Sequence, residues 1–121
     1  MLRMGVTVNG EAGNDVLWGG LFNDTLNGGL GNDIINGNMG NDILTGGDGA
    51  DTFEFMANAG SDTITDFSPI DKLVFYYREG EAEESAIASI DKGIVTWDAV
   101  MVDLGDYALE ISDLNISYEM V

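Results

Sequence analysis

The chain has 121 residues, about one domain, and carries 22 Asp plus Glu against 4 Lys plus Arg, for a formal net charge of −18. That charge repels phosphate backbones and anionic membranes, and the lack of His and Cys excludes thiolate or imidazole zinc sites, disulfides, Cys nucleophiles and Ser-His-Asp triads. Apolar residues still make up 45% of the chain, too many for an acidic disordered tail, so a folded domain is expected.

In chain order, Met1 to Asn9 comes first and contains Val6-Thr7-Val8, a short strand ahead of the first glycine-rich turn. From Gly10 to Glu54 five nine-residue blocks run without insertion: GEAGNDVLW, GGLFNDTLN, GGLGNDIIN, GNMGNDILT and GGDGADTFE. Each has Gly first, Asp sixth (Asp15, Asp24, Asp33, Asp42, Asp51) and a large apolar residue eighth (Leu17, Leu26, Ile35, Leu44, Phe53). Glu11 and Asn38 replace the second Gly in blocks one and four, and Phe22 replaces the fourth-place Gly in block two. Glycine at this density would destabilise a helix by about 1 kcal/mol per residue relative to Ala. The pattern fits a six-residue turn followed by a three-residue strand, because the last three places hold the β-branched and aromatic residues. The eighth place then faces inward, two blocks close one flattened coil, and Gly-rich corners alternate between its two sides.

After Glu54 the spacing slips. Ala57 to Asp62 makes an imperfect sixth corner with its Asp two residues late, and Thr63 to Thr65 takes the strand place. Beyond Pro69, residues 72–77 (KLVFYY), 94–97 (IVTW), 99–104 (AVMVDL) and 107–112 (YALEIS) are predicted strands, with turns at Gly93 and Gly105-Asp106. Glu79 to Ile90 is either a short acidic helix or a loop, with Glu79, Glu81, Glu83 and Glu84 on a solvated face. Trp18, Ile34 and Ile43 take outward strand places as ordinary exposed apolar residues, whereas Phe75, Tyr76, Tyr77 and Trp97 are expected in the core. No apolar run approaches the ~18 residues of a membrane span, and no cleavable signal peptide is expected at the N-terminus. The organisation is therefore a lead-in strand (1–9), a repeat solenoid (10–66) and a C-terminal β-rich cap (67–121).

Stacked strands lie about 4.8 Å apart, so the sixth-place carboxylates form two ladders at that spacing. Neighbouring charges so placed repel by roughly 1 kcal/mol in water and by several times that at lower dielectric, enough in sum to rival the stability of a small domain. A cation is required. Ca²⁺ suits it, accepting six to eight oxygens in loose geometry, including the carbonyls that a Gly-rich corner can turn inward, whereas Mg²⁺ demands a stricter octahedron.

The nine-residue unit closely resembles the RTX, or hemolysin-type, calcium-binding repeat, which is itself the standard example of this sequence period. GSDTITDFSPIDKLVF (Gly60 to Phe75) and VMVDLGDYALEISDLNI (Val100 to Ile116) resemble the end of the roll and the closing strands in C-terminal domains of serralysin-type secreted proteases. The resemblance implies an all-β fold, a right-handed parallel β-roll of about two and a half turns with a C-terminal β-rich cap. It implies carboxylate ligands at Asp15, Asp24, Asp33, Asp42 and Asp51. Carbonyl ligands would come from corner residues Gly10, Ala12 and Gly13, from Gly19 and Leu21, from Gly28, Leu30 and Gly31, from Gly37, Met39 and Gly40, and from Gly46, Asp48 and Gly49. Sites lie between corners one and three, three and five, and two and four, with Asp62 or Asp66 closing a fourth against corner four or five. Asp48 keeps its side chain in solvent, and Phe22 requires a different backbone angle or an outward side chain at corner two. About three to four Ca²⁺ are implied.

The same resemblance implies a secreted, extracellular protein exported by a type I, ABC-transporter machinery that reads an uncleaved C-terminal signal, and the ending Tyr118-Glu119-Met120-Val121 loosely matches the acidic-then-apolar tail of such signals. No enzyme is expected. No pair of carboxylates stands out as acid and base, and the sequence has no D-x-[DN]-x-[DN]-G calcium loop, P-loop or zinc-protease motif. Two rival functions are a module that binds an acidic polysaccharide such as alginate and a self-associating, adhesin-like element built on exposed strand edges.

Overall fold

The computed structural model describes residues 4–56, 59–77, 89–91, 93–97, 100–105 and 114–120. Its strands are β1 (Thr7–Asn9), β2 (Val16–Trp18), β3 (Thr25–Asn27), β4 (Ile34–Asn36), β5 (Ile43–Thr45) and β6 (Thr52–Phe55). They continue as β7 (Ser61–Ile64), β8 (Lys72–Tyr77), β9 (Ser89–Asp91), β10 (Ile94–Trp97), β11 (Val100–Asp103) and β12 (Asn115–Met120). The first strand begins one residue later than Val6. Within the repeats each strand is three or four residues long, starting after the sixth-place Asp and, in β2 to β5, ending just before the Gly that opens the next block.

Through β8, odd- and even-numbered strands separate into two facing sheets, and β9, β10 and β11 join the odd sheet and β12 the even one, giving the orders β1-β3-β5-β7-β11-β10-β9 and β12-β8-β6-β4-β2. Leu26 pairs with Leu44, and Leu17 with Ile35, so residues two blocks apart stack in parallel register. This is the geometry of a parallel β-roll with two blocks per coil. Parallel stacking does not end at residue 66. Two extra residues, Phe55 and Met56, intervene, after which Ile43 pairs with Thr63 and Thr52 with Lys72. Further on, β11 adds in parallel to β7 and β12 in parallel to β8, so the described parallel strands stack five deep in each sheet, beyond the expected two and a half turns. The antiparallel run β11-β10-β9 closes one sheet at the C-terminal end.

The eighth-place residues Leu26, Ile35, Leu44 and Phe53 are fully buried, and Leu17 nearly so. Ile64, Leu73, Phe75, Val95, Val100 and Val102 extend the same core. An aromatic cluster fills its C-terminal end, where Phe75 lies 5.5 Å from Phe55, 5.1 Å from Trp97 and 6.0 Å from Tyr118 between ring centroids. Phe75 and Trp97 are buried as expected. Tyr76 and Tyr77 are only half-buried, because alternation along β8 turns Tyr76 outward, where its hydroxyl donates to Glu54 Oε2 at 2.6 Å. That bond, more than burial, pushes the Tyr76 hydroxyl up to about 12. Trp18, Ile34 and Ile43 are exposed. The predicted strand over 107–112 and most of the 79–90 segment lie outside the described residues; Ser89 and Ile90 begin β9.

Candidate metal-binding corners

Most corner glycines could not gain a Cβ without displacing the neighbouring coil or the Asp of their own block; Gly13 and Gly20 are the exceptions. At the fourth place Gly13, Gly31, Gly40 and Gly49 take φ between 97° and 107°, in the left-handed region. A Cβ added to Gly31 would run into the Gly13 carbonyl of the coil before it. At the first place the crowding comes from the ladder itself: a Cβ on Gly10 would lie 2.7 Å from Asp15 Oδ2 and 2.8 Å from the Gly28 carbonyl oxygen. The missing Cβ therefore leaves a small space faced by a carboxylate oxygen and a carbonyl oxygen of the next coil. The third-place side chains of Ala12, Leu21, Leu30, Met39 and Asp48 are all exposed, so only their carbonyls are free to serve the corner.

Asp15, Asp33, Asp51 and Asp71 stack along one side of the roll, and Asp24, Asp42 and Asp62 along the other. Each Asp N–H donates to Oδ1 of the Asp one coil on, from Asp15 to Asp33 at 2.8 Å, Asp24 to Asp42 at 2.7 Å, and Asp33 to Asp51 at 2.9 Å. Asp42 donates in the same way to Asp62, and Asp51 to Asp71. The second oxygens differ. Oδ2 of Asp15, Asp33, Asp42, Asp51 and Asp62 is buried with no hydrogen-bond partner. An unpaired buried acceptor is costly, so five of them in phase mark places built for something else to occupy.

Burial raises the Asp42 carboxyl to about 6, Asp51 to about 7 and Asp62 to about 8 from an ordinary 3.8, with the neighbouring carboxylates of the same ladder adding to the rise. Among the described residues no three carboxylates gather into one cluster, so any ion here must lean on backbone carbonyls. An all-oxygen set of carboxylate and carbonyl donors with loose geometry fits calcium.

Asp66 leaves this pattern. Its two oxygens accept from the Gly46 and Gly47 N–H groups at 2.9 and 2.8 Å, so it sits against corner five, whereas Asp62 sits above Asp42 on the other side. Asp71 went unrecognised in the sequence because its corner, Asp66 to Ile70, has lost every glycine; the surviving signal is that Asp71 follows Asp62, and Leu73 follows Ile64, by nine residues. Its Oδ2 is taken by the Ser68 N–H and hydroxyl. The fifth-place asparagines form a further ladder: Asn14 Oδ1 accepts from the Asn32 N–H, Asn32 Oδ1 from Ala50, and Asn23 Oδ1 from Asn41.

Corner two is built differently. Neither Gly20 nor Phe22 takes a positive φ, and the Gly20 N–H donates to Asp24 Oδ2 at 2.6 Å. The backbone angle expected of a side chain at the fourth place is thus realised, and Phe22 is also partly exposed.

The family model for the RTX calcium-binding nonapeptide repeat matches residues 6–26 and 18–53. Among curated proteins none matches the chain. Among solved structures, the chain is similar to the AlgE6R3 subunit of the Azotobacter vinelandii mannuronan C5-epimerase, solved in solution, with a TM-score of 0.56 and 23% identity over 90% of this chain and 77% of that one. That likeness concerns the fold. The repeat match, the parallel coil and the in-phase unpaired oxygens agree: residues 6–53 match the RTX calcium-binding nonapeptide repeat, and their strands wind into a parallel β-roll.

Proposed function

We propose that the roll is a calcium-driven folding module of an exported protein, with Ca²⁺ held between successive corners on each side. The observation that carries this reading is the set of five buried, unpartnered Oδ2 atoms of Asp15, Asp33, Asp42, Asp51 and Asp62. Carbonyls of the next coil, such as Gly28 for Asp15 and Gly46 for Asp33, complete the donor set. Binding neutralises the ladder, so the free energy of coordination becomes free energy of folding. In a cell's low calcium the chain stays unfolded and threadable through a type I exporter, and extracellular calcium, at the 10⁻⁴ to 10⁻³ M affinities typical of such modules, then folds it. The domain serves stability and export. Far-UV circular dichroism in EDTA and again after adding calcium tests this: strand signal should appear only with calcium, and equal strand content in both would refute it.

A second reading is favoured by one surface. Val16, Trp18 and Ile34 are exposed on the outer face of the β2–β4 pair, with Trp18 54% accessible, and an indole face can stack on a sugar ring. The structural neighbour belongs to an epimerase acting on a polysaccharide. Titrating alginate into the calcium-loaded protein while monitoring Trp fluorescence separates this role from a purely structural one.

A further inference from the structure

We infer that corner two, Gly19 to Asn23, holds no calcium: the Gly20 N–H occupies the coordination position on Asp24, and Phe22 is the residue that keeps it there. This rests on the calcium reading above and narrows it. In blocks one, three, four and five the sixth-place carboxylate has a buried Oδ2 without a partner. In block two alone, both oxygens are used by backbone donors, Oδ1 by the Val6 N–H at 2.8 Å and Oδ2 by the Gly20 N–H at 2.6 Å. An N–H that close stands where a cation would have to sit, and it carries part of the positive charge that the cation would supply.

The cause lies two residues on. The other four corners reach their shape with left-handed residues at both the second and the fourth place, Glu11 and Gly13, Gly29 and Gly31, Asn38 and Gly40, Gly47 and Gly49. Corner two has a left-handed residue at neither, although Gly20 is free to adopt one. Phe22 is a bulky residue for which that conformation is a true outlier, so it holds the corner in its alternative path and the Gly20 N–H swings inward. The space beside Gly19, faced by Asp24 Oδ2 and the Gly37 carbonyl as the equivalent spaces are at Gly10 and Gly28, is thereby closed by the protein itself.

Native mass spectrometry at saturating calcium counts the ions per folded molecule and decides the matter. Asp24→Asn should keep the wild-type count, Asp33→Asn should lose at least one ion, and Phe22→Gly, which restores the repeat residue, should gain one. Loss of an ion in Asp24→Asn, or an unchanged count in Phe22→Gly, would overturn the inference; should Phe22→Gly not fold, the Asp24→Asn count decides alone. A wild-type count of zero would instead remove the calcium reading on which it stands.

Discussion

Gly20 and Gly29 hold the same place in adjacent blocks, and the repeat pattern treats them as equivalent. Their surroundings are not. Gly29 has φ 89° and its missing Cβ faces the Glu11 backbone, whereas Gly20 is not left-handed and an added Cβ would meet only Asp24 Oδ2, at 4.0 Å. Gly29→Ala should therefore cost on the order of 1–3 kcal/mol in the calcium-loaded protein, the usual range for a strained backbone conformation. Gly20→Ala should stay within about 0.5 kcal/mol, as for a substitution that touches nothing critical. Urea unfolding of the two variants in calcium checks this, and similar losses would contradict it. Local crowding and backbone angle also decide which departures from the pattern survive. Glu11 carries a left-handed φ of 69° with its side chain exposed, and Asn38 does so at 67° above the differently shaped corner two. Asn is also a residue that tolerates this region.

The ladder is an element-scale object, and its behaviour with pH comes from burial. Asp42, Asp51 and Asp62 are raised to about 6, 7 and 8 from 3.8, so the folded, calcium-free roll holds protons that the unfolded chain releases. Their contribution to stability is present below about pH 4 and is lost as pH rises through 6 to 8. At pH 8 that contribution is gone, so in EDTA the chain should lack strand signal there; a strand signal in EDTA that increased from pH 5 to pH 8 would show that these carboxyls are not buried as described. With calcium, protons compete for the same oxygens, and the calcium midpoint should rise as pH falls across that window. The strands and their inward places were legible in the sequence from the phase of Asp15 to Asp51 and Leu17 to Phe53, because each coil repeats the same local physics. The later coils were less so. Asp71 and Leu73 keep the phase, but Phe67 and Pro69 stand where glycines were, and the pairing of β11 on β7 joins residues some forty apart with no local pattern to announce it. The hydrogen bond that closes corner two was equally invisible, since only Phe22 hinted at a changed backbone.

At the scale of the whole molecule the charge of −18 separates into two populations with different needs. Exposed acids such as Asp48 and Asp66 face water and mobile counterions, which at about 0.15 M salt screen charges beyond roughly 8 Å. Ladder carboxylates sit about one strand spacing apart, inside that length, and Asp33, Asp42, Asp51 and Asp62 are 1–2% exposed, so the ionic atmosphere cannot enter between them. Screening and coordination are thus separable. Calcium-free protein in about 0.15 M NaCl should still lack the strand signal in far-UV circular dichroism, because salt relieves only the outer population. Calcium in the 10⁻⁴ to 10⁻³ M range should induce the signal at the same ionic strength. Magnesium at equal concentration should do so poorly, because it dehydrates reluctantly and the corner carbonyls do not offer it a strict octahedron. If sodium chloride alone produced the fold, the ladder repulsion would be a surface effect and the unpartnered oxygens would have no cation to explain them.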